Sequence, residues 1–246
     1  LDILVTDGRP RGRFSEGFVS SSHLHFDSRE LDGEPLGYIV ENRALRQAIF
    51  DAVARTKEIA LHAPMRVEEA LFAAGEARLR LAGGAELRAP LIVAADGKHS
   101  ALRAQAGVKV NYWSYKQTGI VATVAHERPH KGVAQEFFLP AGPFAILPMT
   151  ENRSSLVWTE RAKAAPAFLA LDDAAFLAEI ERRFGDYLGK TAVAGPRWSY
   201  PLSFYLSQSF IAPRLALIGD AARAIHPIAG QGFNLGVKDV AALAEI

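Results

Sequence analysis

The stretch RLALIGDAARAIHPIAGQGFN, running from Arg214 to Asn234, decides the fold. Residues 215–218 form a short apolar run, the mark of a buried strand. Gly219-Asp220 ends it. Residues 221–225 are small and helix-tolerant, and Pro227 stops them. Gly230-Gln231-Gly232 then leads into a helical stretch from Phe233 onward. A strand that ends on an acidic residue, followed by a glycine-rich turn at a helix N-terminus, is how α/β sheets hold nucleotide cofactors. Asp220 suits a sugar hydroxyl, and Gly230 and Gly232 let a flat ring approach the backbone. The competing reading is a glycine-bearing loop between two helices. The spacing Gly230, Gly232, Gly236 is not the dinucleotide fingerprint G-x-G-x-x-G, which occurs nowhere in the chain.

A second motif lies upstream. Residues 91–95 are unbroken apolar, the pattern of a strand buried on both faces, and Asp96-Gly97 closes it. Ser100 is placed to cap a helix over 101–105, and Gly107 to end it. The set Asp96-Gly97-x-x-Ser100-x-x-Arg103 reads in two ways. One is a nucleotide-phosphate site, with Arg103 and helix amides on the anion and Asp96 accepting from ribose. The other is an ordinary strand–turn–helix with a serine cap. Arg43 sits on a helix capped by Asn42, with Leu45, Ile49 and Val53 at helical spacing. By itself it reads as a solvated surface arginine.

The rest of the chain supplies a second architecture. Residues 1–5 read as a strand end before an Asp7-Gly8 turn. Residues 18–26 alternate, with Leu24 and Phe26 on one face and His23 and His25 on the other. Asp32-Gly33 is another turn. A short strand is expected over 59–62, and a hairpin around Gly75 from 66–73 and 77–82. From Val108 the segments 119–127, 134–139, 144–149 and 154–159 are β-like and divided by Pro, Gly and Asn, which predicts an antiparallel sheet. Asp172 or Asp173 caps a helix with Leu177, Ile180 and Phe184 on one face, closed by Gly185. Residues 198–205 are β-like again. The order predicts two interleaved domains: sheet strands over 1–37, α/β over 38–107, antiparallel sheet over 108–205 and α/β over 206–246.

Composition narrows the classes. With 28 Lys+Arg against 27 Asp+Glu the net charge is +1, which argues against a nucleic-acid binder. Cysteine is absent, so thiolate catalysis and cysteine-ligated metal are excluded, and a reducing cytoplasm is the simplest home. The seven histidines show no H-E-x-x-H or similar spacing, so no metal is expected. No G-x-S-x-G elbow supports a serine hydrolase, and no apolar run approaches the roughly 20 residues of a membrane span. The chain starts on Leu1 and stops at Ile246 within a helical pattern, so truncation at both ends is expected.

Taken together, Ala95-Asp96-Gly97-Lys98-His99-Ser100-x-x-Arg103, Gly219-Asp220-Ala221-Ala222-x-x-x-His226-Pro227-x-x-Gly230-Gln231-Gly232-x-Asn234 and Arg43 resemble the aromatic-ring flavoprotein monooxygenases related to para-hydroxybenzoate hydroxylase. Within these, Val124-Ala125-His126-Glu127-Arg128-Pro129 and Leu156-Val157-Trp158-Thr159 are similar to the ubiquinone-biosynthesis hydroxylases, the group of 2-octaprenyl-6-methoxyphenol hydroxylase. The resemblance implies an α/β fold: a Rossmann-like three-layer FAD/NAD(P)-binding domain interleaved with a mainly antiparallel substrate sheet. Two departures stand out. The family's first strand–G-x-G-x-x-G–helix unit is not in this sequence, and Arg223 stands where the family usually has histidine.

The resemblance also implies roles. FAD and NAD(P)H are the cofactors. Asp220, with Gly219, holds the FAD ribityl or pyrophosphate region, and Arg43 the pyrophosphate side. Asp96, Gly97 and Arg103 serve the nucleotide region. Pro227, Gly230, Gln231, Gly232, Phe233 and Asn234 flank the isoalloxazine ring. His23, His25 and the Phe137-Phe138 region cover the substrate. The implied reaction adds one oxygen from O2 to a polyprenylated phenol through a flavin C4a-hydroperoxide. The implied setting is the cytoplasmic face of the inner membrane, in peripheral contact, alongside other ubiquinone-biosynthesis enzymes. The alternatives are a flavin monooxygenase, halogenase or reductase for another aromatic, or a non-catalytic scaffold that kept the fold.

Overall fold

The computed structural model describes residues 2–7, 23–30 and 34–245. The expected Asp7-Gly8 and Asp32-Gly33 turns, and residues 18–22 of the alternating stretch, fall partly or wholly outside them. Among the described residues there are five α-helices: α1 (Asn42–Arg55), α2 (Ala101–Gln105), α3 (Ala165–Leu169), α4 (Asp173–Phe184) and α5 (Gln231–Ala244). The chain divides into two compact units that interleave in sequence. One comprises Leu1–Arg55 and Lys116–Pro201, the other Thr56–Tyr115 and Leu202–Ile246.

The first unit is built on a mainly antiparallel sheet, as the β-like segments predict. Residues 116–126 belong to a 17-residue strand, Val110–His126. Arg153–Arg161, Gly142–Pro148 and Val133–Leu139 follow it antiparallel. Asp2–Asp7 then pairs parallel with Val133–Leu139, and His23–Phe26 closes the edge. Alternate side chains go to opposite faces. Ile120, Ala122, Val124, Phe137, Phe144, Ile146, Leu156 and Trp158 therefore share one face, buried under Phe176, Ile180 and Phe184 of α4. Trp158 packs on Phe168 and Phe176, ring centroids 4.6 and 5.8 Å away. Asp172 caps α4, accepting from the Ala175 amide at 2.8 Å, and Gly185 ends it at φ +79°. Both ends match their sequence signals.

The second unit holds two smaller sheets. The hairpin around Gly75 forms as expected, Val67–Phe72 with Ala77–Leu81, and Glu86–Ala89 adds a third antiparallel strand. Ile92–Ala94 and Leu215–Leu217 pair in parallel, with Ile211–Ala212 at the side. Their core uses small residues: Ala94 and Ala222 have no exposed surface, and Ile92, Leu102, Leu215 and Leu217 pack around them.

Three expectations are corrected. The 59–62 segment is not a strand. Ile92–Ala94 is not covered on both faces, because Val93 is 41% exposed. Residues 221–225 do not form a helix. A 3-10 turn, Gly219–Ala221, leads into a two-residue strand, Arg223–Ala224, paired with Leu206 and Tyr205. The seven residues between positive-φ Gly219 and Pro227 are too few to sustain a helix against that pairing.

Candidate functional site

The parallel pair brings two motifs to one edge. Both strands run the same way, so Asp96-Gly97 and Gly219-Asp220 leave the sheet at the same, carboxyl end. That is where open α/β sheets bind ligands.

The Gly219–Ala221 turn is bolted down from several sides. Gly219 takes φ +56°, a conformation open to glycine at little cost. Arg103 donates to the Ala221 carbonyl at 2.8 Å, and the Ser207 hydroxyl donates to the same oxygen at 3.2 Å. The Gly219 amide donates to Asp239 at 2.8 Å. Asp220, carried on this turn, is exposed, and its carboxylate makes no hydrogen bond to the described residues. An anchored turn with a free carboxylate is a preorganised acceptor.

Arg103 has a different surrounding from the one its motif suggests. It is 6% exposed, and its second amino group donates to the Lys98 carbonyl at 2.9 Å. The first amides of α2 are also engaged: Ser100 accepts from the Arg103 amide at 3.0 Å, and Asp96 from the Leu102 amide at 3.2 Å. Arg103 thus ties one motif to the other across 118 residues.

The start of α5 is the opposite case. Gly230 precedes it at φ +61°, and no side chain caps it. The first four amides of a helix have no partner within it, and they carry the positive end of its dipole. A Cβ added to Gly230 or Gly232 would meet nothing within 4 Å, so the backbone is open to a flat ligand. Pro227, Gln231, Phe233 and Asn234 are exposed around this opening. Behind it, α5 packs on the turn so closely that a Gly236 Cβ would lie 3.4 Å from the Gly219 Cα. His226 stands beside Pro227 with its ring edge-on to Tyr115 at 5.0 Å. Its Nδ1 is buried without a partner, and burial lowers its pKa, which favours neutral imidazole.

Asp96, Gly97, Arg103, Gly219, Asp220 and residues 227–234 all lie in the second unit. Arg43 lies in the first, exposed on α1. The proposed substrate set divides by face. His23 and His25 pair with Thr6 and Leu4, which pair with Phe137 and Gln135, so the histidines share the face of buried Phe137. Phe138 points the other way, 40% exposed, with Glu136, Leu24 and Phe26. Burial raises the Glu136 carboxyl above its usual range. Glu136, Ser207 and Asp239 carry no motif. Only Glu136 leaves a trace in the sequence, as a lone carboxylate beside two phenylalanines.

A group with a hydroxylated chain and an electron-poor, electronegative ring fits this assembly. The free Asp220 carboxylate suits the hydroxyls, the uncapped α5 amides suit the ring edge, and the glycines clear its path. Comparison with known proteins points the same way. The chain is 49% identical over 245 residues to ubiquinone hydroxylase UbiL of Rhodospirillum rubrum, covering 100% of this chain and 54% of that protein. It is 36% identical over 228 residues to the Escherichia coli 3-demethoxyubiquinol 3-hydroxylase, covering 92% of this chain and 58% of that one. The chain therefore spans little more than half the length of these relatives. Its fold superposes with TM-score 0.80 on pqsL, a probable FAD-dependent monooxygenase from Pseudomonas aeruginosa, at 21% identity over 99% of this chain and 66% of that one. The sequence model of one family matches residues 51–246, which include both anchored turns and the whole of α5. By that match the chain belongs to the FAD binding domain family.

Proposed function

We propose that the full-length protein is an FAD- and NAD(P)H-dependent monooxygenase that hydroxylates a polyprenylated phenol in ubiquinone biosynthesis, with O2 as co-substrate. The observation that carries this is the free Asp220 carboxylate on a fixed turn packed against Gly236 and Asp239 of α5, whose glycine-flanked N-terminus is uncapped. The relatives named above support the substrate class. When bound and reduced, FAD supplies the oxygen-activating chemistry.

The chain's own residues bind and position. Asp220 accepts hydrogen bonds from the ribityl chain, and Arg43 neutralises pyrophosphate. The amides of Gly232, Phe233 and Asn234 stabilise negative charge on the ring, since preorganised donors in a dry site act strongly on developing charge. Pro227, Gly230 and Gln231 border the ring and exclude water. Asp96 and Gly97 shape the nucleotide side, where Arg103 acts by holding the Asp220 turn. Residues 38–107 and 206–246 serve the cofactor, and 1–37 and 108–205 the substrate. Leu24, Phe26 and Phe138, with Glu136 among them, present an apolar surface with one carboxyl, suited to a phenol.

The test is incubation of the full-length protein with FAD, NADH or NADPH, and a prenylated phenol under labelled O2. The expected result is NAD(P)H oxidation coupled to gain of one labelled oxygen on the ring. Unlabelled product, or no oxygenated product with any prenylated phenol, contradicts the proposal.

A further inference from the structure

The cofactor roles above leave Arg223 unused. Its surroundings give it one. Its Nη2 donates to Asp239 at 2.8 Å and to the Leu235 carbonyl at 3.1 Å. The guanidinium lies 5.2 Å over the Phe210 ring. Both partners of the ion pair are largely covered, with side chains 16% and 15% exposed. The other Asp239 oxygen accepts the Gly219 amide at 2.8 Å. One carboxylate on α5 therefore bridges a cation on the Arg223–Ala224 strand and the amide at the head of the Asp220 turn.

We infer that Arg223 is a positioning residue for cofactor binding, acting through Asp239 to lock the Asp220 turn to α5. This rests on the FAD reading above. A covered carboxylate without its cation is costly and is driven to reorganise. Arg223 keeps Asp239 aimed at the Gly219 amide. It also grips α5 at Leu235, one turn before Asp239, so it fixes the helix axially and in rotation. Asp220 and the uncapped α5 amides are thereby held at one separation, and a ligand that uses both meets them already in place. A histidine at 223 is shorter, and a single imidazole nitrogen cannot serve Asp239 and Leu235 together. In this chain the two N–H groups of a single arginine nitrogen, Nη2, make that double contact.

The test uses the full-length protein and two readouts: FAD affinity by flavin fluorescence, and hydrogen exchange at the Gly219 amide without FAD. Arg223→Ala and Asp239→Asn are expected to weaken FAD about tenfold and to speed exchange at Gly219. Exchange within Arg153–Arg161 stays unchanged, which separates loss of the lock from general unfolding. Arg223→Lys, which keeps the charge, recovers part of both effects. In an Asp220→Asn background Arg223→Ala weakens FAD little further, because the two act on the same contact. Unchanged FAD affinity in Arg223→Ala, or weakened affinity with unchanged Gly219 exchange, overturns the inference and leaves the FAD reading standing. A wild-type protein that binds no FAD overturns the FAD reading, and the exchange comparison still decides the lock.

Discussion

Asp220 and Arg103 belong to the two most readable motifs, yet they do opposite work. Asp220 is exposed and its carboxylate makes no hydrogen bond to the described residues, so Asp220→Ala is expected to leave the thermal midpoint nearly unchanged while abolishing most FAD affinity. Arg103 is buried against two carbonyls, so Arg103→Ala leaves acceptors unpaired and costs about 2–3 kcal/mol, read by urea denaturation. Glu136 gives a pH test. Its raised pKa means the folded state holds the proton more tightly than the unfolded chain. That stability contribution is present at low pH and lost as pH rises through the folded value. Glu136→Gln is therefore expected to unfold at a higher temperature than wild type at neutral pH, with the gap closing on acidification below the ordinary carboxylate range. A gap independent of pH contradicts this. The motif residues were legible because glycine, aspartate and proline punctuate the chain locally. Ser207 and Asp239 were not, since each meets the turn through the fold rather than through spacing.

Elements with local start and stop signals came through from sequence. Ser100 and Asp172 cap α2 and α4 as their positions indicate, and the Gly75 hairpin forms. The 221–225 segment failed because its partner, Leu206 and Tyr205, lies in a distant strand. The apolar run at 91–95 indicated two-sided burial, and Val93 is open on one side. At α5 two glycines separate folding from binding. Gly230→Ala forces a side chain into φ +61° and costs about 1–2 kcal/mol of stability. Gly232 lies within the helix with open space at its Cβ, so Gly232→Val leaves the fold intact while blocking a ring from the amides. Circular dichroism melts beside FAD titration separate the two, and equal FAD affinity for Gly232→Val and wild type contradicts the assignment of α5.

At the scale of the molecule, interleaving was visible as alternation of apolar runs with β-like, turn-divided segments. Which face of the first unit's sheet is covered was not, because period-two alternation marks two faces without saying which one a helix will bury. The structure resolves it by setting α4 over Phe137 and Trp158 and leaving Phe138 open. No helix among the described residues is long and apolar enough to cross a membrane, while Leu24, Phe26 and Phe138 are exposed. With a polyprenylated substrate, peripheral contact is expected: the full-length protein sediments with liposomes carrying a prenylated phenol, and absence of binding with and without substrate contradicts that. Equilibrium titration of the full-length protein with FAD, beside Asp220→Asn, decides whether Asp220 and the head of α5 together hold the cofactor. Saturable binding with a shifted flavin absorbance spectrum is expected in wild type, and loss of most of that affinity in the variant at unchanged thermal stability. No binding by wild type, or equal binding by both proteins, would contradict it.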